Sequence, residues 1–102
     1  MEYDIQYMDS VFDDLAVIKR YLSQFYEFTW PKTASEIEHH IAFLREIPRG
    51  FPLYPGSETY HKLVAGDYIV LYKVFDERRV VEIHAIWHGK KNIAELIDTL
   101  PE

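Results

Sequence analysis

Residues 61–93 read HKLVAGDYIVLYKVFDERRVVEIHAIWHGKKNI. Tyr68 to Phe75 is apolar at nearly every position, as expected of a strand covered on both faces and placed centrally in a sheet. Ala65-Gly66-Asp67 before it and Asp76-Glu77-Arg78 after it are tight-turn sequences. Thr59 to Val64 and Val80 to Trp87 then read as neighbouring strands. In the second of these, Val81, Ile83, Ala85 and Trp87 fall on one face by alternation, and Val80, Glu82, His84 and Ile86 on the other. Three strands joined by tight turns make an antiparallel meander. His88-Gly89-Lys90-Lys91-Asn92 breaks the last strand, and Ile93 to Leu100 reads as a short turn of helix.

Working toward the N-terminus, Pro48 to Ser57 holds three prolines and two glycines and is a semi-rigid loop. Two apolar stripes at helical spacing precede it. Val11, Leu15, Ile18, Leu22 and Phe25, widened by Phe12 and Tyr26, predict a helix from about Ser10 to Phe28, with Asp9 or Ser10 as its cap. Pro31 cannot continue that helix. Thr33 with Glu36 forms a capping box, and Ile37, Ile41, Leu44 and Ile47 give a second helix that ends at Pro48. A short link between the two makes a helical hairpin. Tyr3, Ile5 and Tyr7 alternate with Asp4 and Gln6, a short first strand that most plausibly adds to a sheet edge. The order is β-α-α-β-β-β with a final short helix. This is an α+β domain spanning 1–102, its hairpin packed on one sheet face and the opposite face at least partly free.

Composition narrows the function. The 102 residues fit one domain, and 48% hydrophobic with 16% aromatic content supplies one core. Cysteine is absent, which excludes disulfides, thiolate metal sites and cysteine nucleophiles and suits a reducing cytoplasm. No apolar run approaches the ~20 residues of a membrane span. The acidic start, Met1-Glu2-Tyr3-Asp4, lacks the basic region of a signal peptide. The expected location is cytoplasmic, with no membrane partner.

Net charge is −6, against a generic nucleic-acid binder. The charge is uneven. Residues 1–57 carry 9 acidic and 5 basic side chains; residues 58–92 carry 5 acidic and 6 basic, with three histidines; residues 93–102 carry 3 acidic and none basic. Glu58 to Asn92 is thus the segment that could face an anion.

His61 to Val74 resembles the central hairpin of RelE/ParE toxins, in which a basic residue and a leucine precede a glycine turn and a tyrosine-rich strand. Val80 to Trp87 followed by His88-Gly89-Lys90-Lys91-Asn92-Ile93 is similar to the end of the same domain. The resemblance is specific over 61–93 and architectural before it. It implies the toxin of a bacterial type II toxin–antitoxin pair, which inhibits growth. A cognate antitoxin neutralises it, laying an amphipathic segment into a groove between hairpin and sheet or adding a strand. Apolar residues on both faces of Tyr68–Phe75 would be tolerated because that partner covers them. Two activities occur in the family: RelE-type members cut messenger RNA on the ribosome, and ParE-type members poison DNA gyrase. No cofactor is implied.

Metal-independent RNA cleavage by 2′-hydroxyl attack needs a base, cations on the phosphorane and an acid for the 5′-oxygen. The candidates are Lys62, matching a family lysine on the second strand, Lys91, where RelE-type members carry arginine, and His88 for proton transfer. As plain surface residues the two lysines would be solvated and His88 would sit in a turn. Lys73 shares the strand parity of Ile69 and could point into the same cleft, while His84 could pair with Glu82. His39 and His40 are adjacent, do not share a helix face, and form no metal site. Ile69 stands where nucleases of the family carry arginine, and no tyrosine follows Trp87. That departure favours a ParE-like toxin acting by binding its target over a messenger-RNA endoribonuclease. A family member that has lost toxicity and survives as an interaction module is the third reading.

Overall fold

Tyr68–Phe75 (β3) is buried through its first six residues, because strands pair on both its edges and side chains cover both its faces. His61–Ala65 (β2) pairs with it antiparallel on one side and Val80–His88 (β4) antiparallel on the other. Asp4–Tyr7 (β1) joins the far edge, parallel to β4, so the sheet order is β1-β4-β3-β2. The computed structural model describes residues 2–25 and 29–100. Among them no helix is long and apolar enough to cross a membrane.

Asp9–Leu22 (α1) and Thr29–Ala42 (α2) pack on one face. Val11 and Ile18 from α1, and Ile37 and Ile41 from α2, meet Leu63, Val70, Tyr72, Val81 and Ile83 in the main cluster. The helix limits differ from the pattern. α1 stops at Leu22, so Phe25 of the expected stripe is exposed, as is Phe12. The remainder of the expected helix, Tyr26 to Phe28, lies outside the described residues. The residue before α1 is Met8, without a side-chain cap; Ser10 instead donates its hydroxyl to the His84 carbonyl at 3.3 Å. α2 starts at Thr29 with Pro31 in its first turn, where a missing N–H costs nothing. Thr33 is therefore inside the helix rather than its cap.

The strand faces also differ. The β3–β4 register steps from Leu71↔Ala85 to Tyr72↔Ile83, which leaves His84 as one extra residue on β4. This bulge reverses the parity beyond it. Val81, Ile83 and Ile86 face the helices, whereas Ala85 and Trp87 face the other way.

That second face is not free. Ile69, Leu71, Ala85 and Trp87 are covered by Tyr60 and by Ile93 of the last helix, Ile93–Leu96 (α3), with Leu96, Ile97 and Leu100 packed around them. The chain's own C-terminal turn therefore accounts for the apolar character of β3 on this side, and a partner is not needed to explain it.

Candidate functional site

Gly89 lets the chain turn tightly at the end of β4: its N–H donates to the Asp67 carbonyl at 2.8 Å, and a Cβ there would sit 3.3 Å from that oxygen. This turn fixes His88. The His88 ring stands edge-on to Tyr68 with centroids 5.3 Å apart. Its Nδ1 accepts the Lys90 N–H at 3.1 Å, so the neutral ring carries its proton on Nε2. The His88 carbonyl accepts the Lys91 N–H at 3.0 Å.

His88, Lys90 and Lys91 border a groove of about 470 Å³ between α1 and the end of β4. Val17, Ile18 and Tyr21 form its α1 wall, and Tyr68, Ile86 and Trp87 its sheet wall. Val17 is 52% and Tyr21 56% exposed, so this wall is apolar surface facing water. Asp14 lies at its edge, where its Oδ2 accepts the Ile86 N–H at 3.1 Å. Burial pushes the Asp14 carboxyl above its ordinary range; hydrogen bonds from Ile86 and the Trp87 side chain, then Lys91, pull it back.

The sequence reading singled out His88 and Lys91, and the structure brings them to one groove. Lys62 is elsewhere. It is registered with Leu71 and, through it, with Ala85, while His88 is registered with Tyr68. Two strand spacings and three residues along the strand each amount to roughly 10 Å. Lys62 also shares its face with Leu71, which is the C-terminal side, whereas Tyr68 faces the helices. The three side chains do not surround one phosphate-sized space.

Lys73 and His84 belong to a separate buried set. His84 Nε2 meets Glu82 Oε1 at 3.0 Å, Arg78 reaches Glu82 at 3.7 Å, and Lys73 Nζ lies 4.8 Å over the Tyr60 ring. The expected His84–Glu82 pair is present, but inside the protein. His40 Nδ1 donates to the Glu36 carbonyl at 2.8 Å. Among the described residues no group of three His, Asp or Glu side chains could hold a metal ion.

Asp14, Tyr21 and Trp87 were not singled out from sequence. Asp14 had a signal: three residues after Val11 and four before Ile18, it is an acid at the border of the apolar stripe, where it must meet something buried.

Residues 5–93 match the family model described as the ParE toxin of the type II toxin–antitoxin system, parDE. No curated protein matches the chain. Solved structures share the fold. A chromosomal ParDE toxin–antitoxin system from P. aeruginosa aligns with TM-score 0.74 at 12% identity, covering 87% of this chain and 98% of that one. The toxin–antitoxin complex RelBE2 from Mycobacterium tuberculosis aligns at 0.62 with 20% identity, covering 86% and 99%. A mutant of the E. coli toxin RelE in the free state aligns at 0.63 with 15% identity, covering 97% and 98%.

Proposed function

The chain belongs to the ParE toxin family of type II toxin–antitoxin systems, and from that premise we propose that it arrests growth by binding an essential target, DNA gyrase, and is held inactive by a cognate antitoxin. The observation that carries this reading is Ile69. It is 9% exposed and packs with Leu71, Ala85, Trp87 and Ile93 on the face where a nuclease of this fold needs a cation on the scissile phosphate. The isoleucine side chain offers neither charge nor donor to a phosphorane. The separation of Lys62 from His88 and Lys91 also supports binding over RNA chemistry. The exposed apolar wall of α1 suits a protein partner, and the cytoplasm is the setting for both antitoxin and target.

The test is expression of the chain without an antitoxin. Messenger-RNA 5′ ends and the DNA-damage response are mapped in the same cultures. Intact messages, a damage response and gyrase trapped on DNA are expected. Cuts within translated codons that disappear in Lys62→Ala or His88→Ala would replace this reading with a RelE-like endoribonuclease. Growth without either signal would mean an interaction module that has lost toxicity.

A further inference from the structure

The sheet ends at β2 on one side and at β1 on the other. The start of the β2 edge is covered by the proline-rich loop, where the Lys62 N–H donates to the Pro52 carbonyl at 2.8 Å. The centre of the β1 edge is bare. The N–H groups of Asp4 and Met8 donate to β4, at the Arg79 and Ile83 carbonyls. Residues two apart on a strand turn their backbone groups the same way, so Gln6 faces β4 as well, and Ile5 and Tyr7 face outward. Tyr3 has the same parity as these two, and its N–H does point outward, donating to the Arg45 carbonyl at 2.8 Å. The backbone groups of Ile5 and Tyr7 meet no such partner among the described residues.

Beside this edge a recess of about 400 Å³ is lined by Ile5 and Tyr7, by Glu38, His39 and Ala42 of α2, and by Arg45. Glu38 and Arg45 are exposed, and neither has an ion-pair partner among the described residues. Both act on Tyr7: burial pushes its hydroxyl up, Glu38 adds to this, and Arg45 opposes it. Phe12 stands beside Tyr7 with ring centroids 6.3 Å apart, and Phe43 beside His39 at 5.2 Å. Both phenyl rings are exposed. An unpaired acid and an unpaired base on one recess complement themselves under a two-fold axis. That favours a second copy over a partner carrying one sign of charge.

We propose that a second copy of this chain pairs its β1 antiparallel with the first across this edge, so that the two four-stranded sheets run on as one. With Gln6 on the axis, Ile5 lies opposite the partner's Tyr7, and each such pair exchanges both of its backbone hydrogen bonds. Asp4 lies opposite the partner's Met8, so no like charges oppose each other along the strand. Glu38 of each copy meets the partner's Arg45. β1 has only 4 residues, so backbone pairing alone makes a small interface, and the exposed rings of Phe12 and Phe43 enlarge it with apolar surface.

Sedimentation equilibrium of the full chain from about 1 to 100 μM is the test. A monomer–dimer equilibrium is expected. Amide hydrogen exchange at Ile5 and Tyr7 should slow about tenfold or more at the top of that range. Arg45→Glu and Glu38→Arg should each weaken the dimer about tenfold, because the axis places the altered contact in the interface twice. Both variants should unfold thermally as the wild-type chain does, since both side chains are exposed. An equimolar mixture of the two variants should pair again, because every acid then faces a base. A purely structural role for either side chain would not produce that rescue. A chain that stays monomeric throughout would overturn the proposal. So would a dimer that leaves exchange at Ile5 and Tyr7 unchanged, that both charge variants leave intact, or that the mixture fails to restore.

Discussion

The Asp14 carboxylate on α1 accepts the backbone N–H of Ile86 on β4 at 3.1 Å, across 72 residues of sequence. It ties the first helix to the sheet where β1 has ended and the β4 edge would otherwise lack an acceptor. Asp14→Ala should strand that part-buried donor and cost about 1–3 kcal/mol. Asp14→Asn keeps an acceptor oxygen and should cost less. Urea unfolding of both variants makes the comparison. Equal losses would mean that the hydrogen bond is not what joins the helix to the strand.

Tyr72 anchors the proline-rich loop from inside. Its ring is fully buried, stacked on His61 with centroids 5.0 Å apart, and its hydroxyl donates to the Pro48 carbonyl at 2.9 Å. Burial pushes the Tyr72 hydroxyl up to about 12, so it remains a donor throughout the physiological range. His61 holds the other side of the loop, its Nδ1 donating to the Phe51 carbonyl at 2.8 Å. Tyr72→Phe preserves the ring packing and removes only the donor. A loss of about 1 kcal/mol is expected, with faster proteolysis between Pro48 and Ser57 than in the wild-type chain. Unchanged cleavage there would mean that the His61 ring and the backbone bonds from Lys62 to Pro52 and from Tyr54 to Tyr60 hold the loop without the Tyr72 hydroxyl.

The meander was legible because its information is local. Turn residues at Gly66-Asp67 and Asp76-Glu77 and the apolar run between them fix three strands and their order. β1 was legible too, as a short alternating strand in need of an edge. The bulge at His84 was not, because one extra residue leaves no mark in a run that is apolar on both sides of it. Nor was the closure of the second face. Ile93, Leu96 and Ile97 read as a helix turn, but the strands it covers are determined by packing, not by its own period. For the candidate site, residue type pointed to His88 and the family resemblance to Lys91, and both border the groove. The separation of Lys62 depends on a strand face, which sequence spacing between different strands does not reveal.

Ile69 gives the strictest test of that closed face. It packs against Trp87 and Ile93 in the cluster beneath the C-terminal turn. Ile69→Arg restores the residue type that nucleases of the fold carry, yet it must bury a guanidinium without a partner or lift α3 off the sheet. A destabilisation of about 3 kcal/mol or more is expected, and no RNA cleavage should be gained. Ile69→Val, which keeps the apolar contact, should cost only about 1 kcal/mol. A stable Ile69→Arg chain that cuts messenger RNA would show that the face opens readily and that arginine alone was missing.

His84 makes stability depend on pH near neutrality. Burial holds its imidazole below the ordinary 6.5, and Lys73 adds to this, while the hydrogen bond to Glu82 pulls the other way. Between the depressed folded value and 6.5 the unfolded chain binds a proton that the folded chain does not. The contribution is therefore complete above 6.5 and is lost as the pH falls through that window. Asp14 has the opposite sign at lower pH. Its raised carboxyl keeps a proton in the fold above 3.8, so its own contribution favours the fold on the acid side and fades as the pH rises past its folded value. The two windows separate the groups. Stability measured from about pH 7.5 to 5.5 should fall in the wild-type chain and change less in His84→Gln, which has no charge to gain over that range. An unchanged slope in His84→Gln would mean that the Glu82 pair offsets the burial of His84 completely.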